Sequence, residues 1–200
     1  MPDDRLIFVD ESGVNTAMTR RYARAPRGER AFNSAPRNYC KQTSLISALG
    51  LGRGLLATMT VQGAADTLCL NAYVGRVLSP HLQRGDVVVL DNLGAHKASC
   101  LEQVAEERGA RVLWLPPYSP DYSPIENCRS KIKTALRAAK ARTRDTLEKA
   151  LAKAIQLVIT ADIQGRFTHC GYSVARVSRT RVRTAIGVLQ LGKFHGKDVR

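Results

Sequence analysis

The chain has 200 residues, 44% of them hydrophobic, with 31 Lys+Arg against 17 Asp+Glu and a formal net charge of +14. That length supplies one ordinary domain with a sizeable core, and no apolar run is long enough to span a membrane. Five scattered cysteines (40, 69, 100, 128 and 170) with no Cys-x-x-Cys pair argue against a disulfide framework or a structural zinc site, and Met1-Pro-Asp-Asp-Arg5 lacks the order of a secretory signal, so a reducing cytosol is expected.

Leu6-Ile-Phe-Val9 is a short apolar run that stops at Asp10-Glu11-Ser12-Gly13, which predicts a buried strand followed by a turn. Residues 15–41 are rich in Arg, Asn and Pro, with a second strand expected around Arg20 to Arg24. Ser44 to Leu49 and Leu55 to Val61 flank Gly50, Gly52 and Gly54, the pattern of two strands joined by a glycine-rich hairpin. Asp66 to Leu78 has helical spacing. Val87-Val-Val-Leu90 is the strongest strand signal and ends at Asp91-Asn92. A helix over Ser99 to Arg108, a strand at Arg111 to Leu115 and a proline-rich stretch follow.

That stretch, Leu115-Pro-Pro-Tyr-Ser-Pro-Asp-Tyr-Ser-Pro-Ile-Glu126, places four prolines ahead of the Glu126 carboxylate. Proline fixes φ and restricts the residue before it, so the approach to the next helix is stiff. Ser123-Pro124-Ile125-Glu126 has the form of an N-cap, a proline at the first helical position and an acidic third residue. The helix Pro124 to Lys140 would bury Ile125, Cys128, Ile132, Leu136 and Ala139. A further helix is expected near Asp145-Thr-Leu-Glu148, again shaped like a capping box, with Leu147, Leu151, Ile155 and Val158 inward. After about Gln164 the periodicity fades into a basic tail. Strands followed by alternating helices and strands predict a mixed α/β layer on one central sheet.

The charge is unevenly divided. Up to Glu126, 14 Lys+Arg face 13 Asp+Glu; from Asn127 onward, 17 face 4. Such a block suits a polyanion, or is a solvated basic surface. Asp10, Asp91 and Glu126 sit where strands or a rigid loop end, places where the backbone is fixed and the side chain meets solvent. Carboxylates are the ligands Mg²⁺ prefers, and paired ions can drive phosphodiester cleavage. Asp10 and Asp91 could instead start turns, and Glu126 could reach back to the amide of Ser123. At 100° per residue, Arg129, Lys133, Arg137 and Lys140 fall on the side of the helix that carries Glu126. With Lys131 they are candidates for contacts to DNA phosphates.

Phe8-Val-Asp-Glu-Ser12, Val88-Val-Leu-Asp-Asn92 with His96, and Leu115 through Asn127 resemble the three blocks of mariner-superfamily DDE transposases, with the bacterial insertion sequence six-thirty family most similar. Between the second and third acids lie 34 residues, a spacing typical of that superfamily. The resemblance runs over residues 5–172. It implies an RNase H-like fold, a mixed five-stranded sheet flanked by helices, with Asp10 on the first strand, Asp91 after the fourth and Glu126 on a following helix. It implies that this trio binds two Mg²⁺ ions (or Mn²⁺), with Asp10 bridging both and Asp91 and Glu126 each serving one. It also implies cleavage at transposon ends and strand transfer into target DNA, usually at TA, by a homodimer that pairs the ends, in the cytoplasm at the nucleoid. Asn92, His96 and Tyr118 become candidates for supporting the acids or touching DNA. Asn92 and His96 could as well be a turn and a loop residue, and Trp114 is expected in the core. Glu11 matches the first block and is expected to support its loop.

Two departures from the family pattern accompany the resemblance. Relatives carry an N-terminal helix-turn-helix region, which is expected to be absent here and to come from an upstream frame or from a copy that has lost it. Residues 1–165 are expected to form the catalytic domain and 166–200 a basic tail, partly disordered. Gly165-Arg-Phe-Thr-His-Cys-Gly-Tyr172 resembles the family's terminus, although an aromatic is more usual where Arg166 stands. Ser173 to Arg200, with seven Lys+Arg and one Asp, looks like an added segment. A remnant that binds DNA without cutting it is the alternative, and a cellular RNase H is a third.

Overall fold

The apolar runs of the first half assemble into one mixed sheet. The structure is a computed structural model, and it describes residues 3–20, 22–36, 42–91, 98–117, 119–174 and 189–191. Strands β1 (Leu6–Val14), β2 (Thr43–Gly50) and β3 (Gly54–Gln62) form an antiparallel meander. Its second turn is tight enough to need Gly52 and Gly54 at φ of 75° and 79°, a region closed to most side chains. Strand β4 (Val87–Leu90) pairs parallel to β1, and β5 (Arg111–Trp114) parallel to β4. The order is β5-β4-β1-β2-β3, the five strands of the expected architecture. A three-residue strand, β6 (Leu189–Leu191), lies parallel to β3 at its outer edge.

Among the described residues, no strand forms around Arg20 to Arg24. The described residues from 15 to 36 form turns and irregular chain, with Tyr22 and Phe32 almost fully exposed. Topology gives part of the reason: β2 and β4 occupy both edges of β1, so a strand that followed β1 directly could not form a hairpin with it.

Alternation along the strands divides the interior into two cores. Leu6 and Phe8 of β1, with Val87 and Val89 of β4, face helices α3 (Pro124–Ala139), α4 (Arg144–Gln156) and α5 (Thr160–His169). Ile7, Val9, Val88 and Leu90 face the other way, onto α1 (Thr67–Ala72), its continuation, and α2 (Ala98–Glu107). The helix expected over 66–78 is two conformations. Asp66 caps α1 by accepting from the Cys69 amide at 2.8 Å, and Tyr73–Leu78 then widens into a π-helix. The wider turn buries Tyr73, Val74, Val77 and Leu78 together, and the Tyr73 hydroxyl donates to the Ala57 carbonyl at 3.3 Å.

Three further details differ from expectation. The capping box of α4 is built by Thr143 and Thr146, not by Asp145 and Glu148; Asp145 lies in the first turn, where a carboxylate suits the helix dipole. The helical pattern runs past Gln164 to His169. Phe167 is fully buried there, edge-on to Phe8 at 5.5 Å, and Tyr172 meets Phe8 at 5.3 Å. The packed core therefore continues beyond residue 165.

One buried carboxylate fixes the entry to β4. Asp86, the residue before β4, is fully buried. It accepts from Arg53 Nη1 and from the Gln83 amide, each at 2.8 Å, with Arg5 Nη1 at 3.8 Å. Removing one partner of such a pair leaves an uncompensated charge and costs about 3–5 kcal/mol, so this network is part of the fold and not of the chemistry.

Candidate active site

The register of β1 with β4 runs from Leu6↔Val87 to Val9↔Leu90. One step further brings Asp10 level with Asp91. The same alternation that points Leu6, Phe8, Val87 and Val89 at α3 puts both carboxylates on that face. Glu11 faces the opposite way, accepting from Ser44 Oγ at 2.9 Å and the Ala65 amide at 3.4 Å. Its side chain ties β1 to the chain beyond β3 and does not line the cavity that Asp10, Asp91 and Glu126 share.

Glu126 arrives by a rigid route. The Leu115 amide donates to the Leu90 carbonyl at 2.8 Å, which holds the chain beside β4 as it leaves β5. Pro120–Tyr122 makes a 3-10 turn, and the Tyr172 hydroxyl donates to the Tyr122 carbonyl at 2.8 Å. Burial pushes that hydroxyl's pKa up to about 12, so it stays a donor. Ser123 occupies the N-cap position and Pro124 opens α3, but the Ser123 side chain makes no capping bond. The expected capping box is therefore not formed, and the Glu126 carboxylate is left to turn toward the sheet. Asp10, Asp91 and Glu126 line one cavity of about 440 Å³, walled by Leu115, Pro117 and Pro120. A smaller cavity of about 40 Å³, lined by Leu70, Leu101 and Trp114, reaches Asp10 and Asp91 from the other face.

Arg129 sits one turn after Glu126. Its largely buried guanidinium enters the cluster, where Nη1 pairs with Asp10 Oδ2 and also with Glu126 Oε1 at 3.1 Å. Burial draws its pKa down to about 10, so it is still charged at neutral pH. The sequence places Arg129 on an exposed DNA track; the structure puts it between two of the three acids. Its spacing from Glu126 was visible in the sequence, but its contact with Asp10 needed the fold.

The other basic candidates separate by environment. Lys133 follows Arg129 along α3; partial burial and the neighbouring Arg129 and Arg137 charges lower its pKa, against Glu126, which raises it. Lys131 points the other way and pairs with Asp162 of α5 at 2.5 Å. Lys140 closes α3 in the left-handed region (φ 49°), and its Nζ donates to Asn33 Oδ1 at 3.2 Å. Trp114 is partly buried against the α1–α2 core, and its Nε1 reaches Glu102 Oε1 at 3.4 Å. Cys128 is no nucleophile: burial pushes its thiol up to about 12. Asn92, His96 and Tyr118 lie outside the described residues.

Among the described residues no group of three or more acidic, histidine or cysteine side chains is gathered tightly enough to hold a metal ion. The donor chemistry nevertheless fits a hard divalent cation: three carboxylates line one cavity, and two of them already converge on a single positive charge. No helix among the described residues is long and apolar enough to cross a membrane.

A family model described as "DDE superfamily endonuclease" matches residues 5–148. No curated protein matches the chain in sequence. Among solved structures, the Mos1 strand transfer complex matches with a TM-score of 0.63 at 17% identity, covering 84% of this chain and 52% of that one. The mariner Mos1 paired end complex with Mg gives 0.61 at 17% identity, covering 84% and 53%. The catalytic domain of Mos1 mariner transposase gives 0.54 at 15% identity, covering 84% and 79%. The chain thus spans about half the length of the Mos1 chains in those complexes. At these identities the likeness establishes the fold, which is RNase H-like.

Proposed function

The chain belongs to the DDE superfamily endonucleases, and on that premise we propose that it is a transposase catalytic domain which cuts DNA and transfers the cut strand, using divalent ions held by Asp10, Asp91 and Glu126. The observation that carries this is the convergence of three carboxylates, from β1, the end of β4 and the start of α3, on one cavity of about 440 Å³. The matching Mos1 structures are described as paired-end and strand transfer complexes, one with Mg and another with Mn, which supports DNA ends as substrate and Mg²⁺ or Mn²⁺ as cofactor. The three sequence blocks favour the mariner superfamily and its bacterial insertion sequence six-thirty branch, acting on DNA at the nucleoid as an end-pairing homodimer.

Each residue has a defined task. Adjacent parallel strands fix Asp10 and Asp91 side by side, so little reorganisation is needed to present two hard ligands together. The proline-rich lead-in sets the angle of α3 and hence of Glu126. When bound, divalent metal supplies an activated water or 3′-hydroxyl and neutralises charge on the leaving oxygen. Lys133 and Arg137, further along the same helix, would hold the phosphates of the strand being cut. The wider excess of basic residues after Glu126, 17 against 4, supplies sequence-independent attraction to duplex DNA.

Incubating the chain with supercoiled plasmid tests both halves. Mg²⁺-dependent nicking that EDTA abolishes is expected, together with DNA binding that weakens steeply as salt rises. The Arg129 contact favours a second possibility, a chain that binds DNA without cutting it. Salt-sensitive binding with no metal-dependent nicking, by wild type and by an Arg129→Gln protein alike, would establish that instead.

A further inference from the structure

Building on the proposed metal-binding role of the three acids, we infer that Arg129 is an internal cation that holds Asp10 and Glu126 together in the metal-free protein, and that this side chain must leave before the pair can take a metal ion. A single nitrogen, Nη1, serves both carboxylates. Asp10 Oδ1 is already engaged by the Glu11 amide at 2.6 Å, and Oδ2 is the oxygen turned to Arg129. A metal ion that uses Oδ2 therefore occupies the place of Nη1, and the two cations exclude each other.

Nε is buried with no acceptor among the described residues, so the polar contacts that hold this guanidinium are those to the two acids. Once a divalent ion has taken them, no polar contact among the described residues retains Arg129 in the cluster. Its exit lies along α3 toward Lys133, on the side proposed to meet DNA phosphates. Loading of metal and gripping of the strand would then be coupled through one side chain, because releasing the acids frees a guanidinium for a phosphate oxygen.

Direct Mn²⁺ binding to the full chain, followed by the electron paramagnetic resonance of free Mn²⁺, tests this without relying on cleavage. The Arg129→Gln protein is expected to bind Mn²⁺ about tenfold to a hundredfold more tightly than wild type, since a charge-assisted contact no longer competes. Arg129→Lys, which keeps the charge but has a compact head, is expected to fall between them. In thermal unfolding, metal-free Arg129→Gln should melt below wild type, and Mn²⁺ should raise its Tm by more than it raises wild type's. A merely structural arginine would lower Tm without tightening Mn²⁺. Equal or weaker Mn²⁺ binding by Arg129→Gln would overturn the inference while leaving the acids as metal ligands. No Mn²⁺ binding by wild type, Gln or Lys variants would overturn the metal site itself, and the inference with it. If Arg129→Gln fails to fold, the Lys variant decides by the same comparison: no tightening relative to wild type counts against competition.

Discussion

An Asp91→Asn protein is expected to lose Mg²⁺-dependent nicking by about a thousandfold or more, a barrier increase of roughly 4 kcal/mol, while binding DNA as tightly as wild type. Asp91 is exposed at the end of β4, and an amide has the same shape as the carboxylate it replaces. What changes is the ligand: a neutral amide oxygen holds a hard divalent ion far less well than a carboxylate. Glu126→Gln should show the same loss for the same reason, with one difference. Its side chain also pairs with Arg129, so the variant should be slightly less stable in the absence of metal. Plasmid nicking and DNA affinity, measured side by side on both variants, check this. Undiminished cutting by either one removes that residue from the chemistry.

The second large effect concerns the far end of the domain. A chain ending after Gly165 is expected to lose its cooperative unfolding transition, whereas one ending after Val174 should keep it. The shorter chain ends within α5 and deletes Phe167 and Tyr172, both of which pack edge-on against Phe8 of the central strand. It also deletes the hydroxyl that holds the Tyr122 carbonyl, and so loosens the approach to Glu126. Removing one buried phenyl group costs about 3–5 kcal/mol, against a typical total of about 5–15 kcal/mol for a domain. Phe167→Ala in the full chain should therefore lower stability by about 3–5 kcal/mol in denaturant titration. An unfolding midpoint for the 165-residue chain equal to that of the full chain would show that the core closes without this cluster.

The sequence shows the sheet well because its strands are apolar runs bounded by turn residues: Leu6–Val9, Ser44–Leu49, Leu55–Val61 and Val87–Leu90 all lie in strands. The strand expected near Arg20 to Arg24 fails in part for a reason no local pattern carries, namely that both edges of β1 are already paired. The periodicity fades near Gln164 because Gly165 and Arg166 interrupt the apolar pattern, while α5 continues to His169. The Ile163/Phe167 spacing of four residues was the signal that the helix continues. In the site, Asp10, Asp91 and Glu126 were legible as acids at the ends of elements, and the fold brings them to one cavity. Ser123-Pro124-Ile125-Glu126 had the letters of a capping box, yet the bond is not made, since letters fix the positions and not the rotamers. Arg129 was legible as a neighbour of Glu126 but not of Asp10, which is far away in sequence and close only through the packing of α3 on β1.

The most direct test of the proposal that these carboxylates hold metal is an Asp91→Cys protein assayed in two metals. A thiolate is a poor ligand for Mg²⁺ and a good one for a soft ion. Nicking should be nearly absent in Mg²⁺ alone and should return when Cd²⁺ is added, while the Asp91→Asn protein stays inactive in both. Wild-type cutting by Asp91→Cys in Mg²⁺ alone would contradict the assignment, because the residue at position 91 would then hold no catalytic metal.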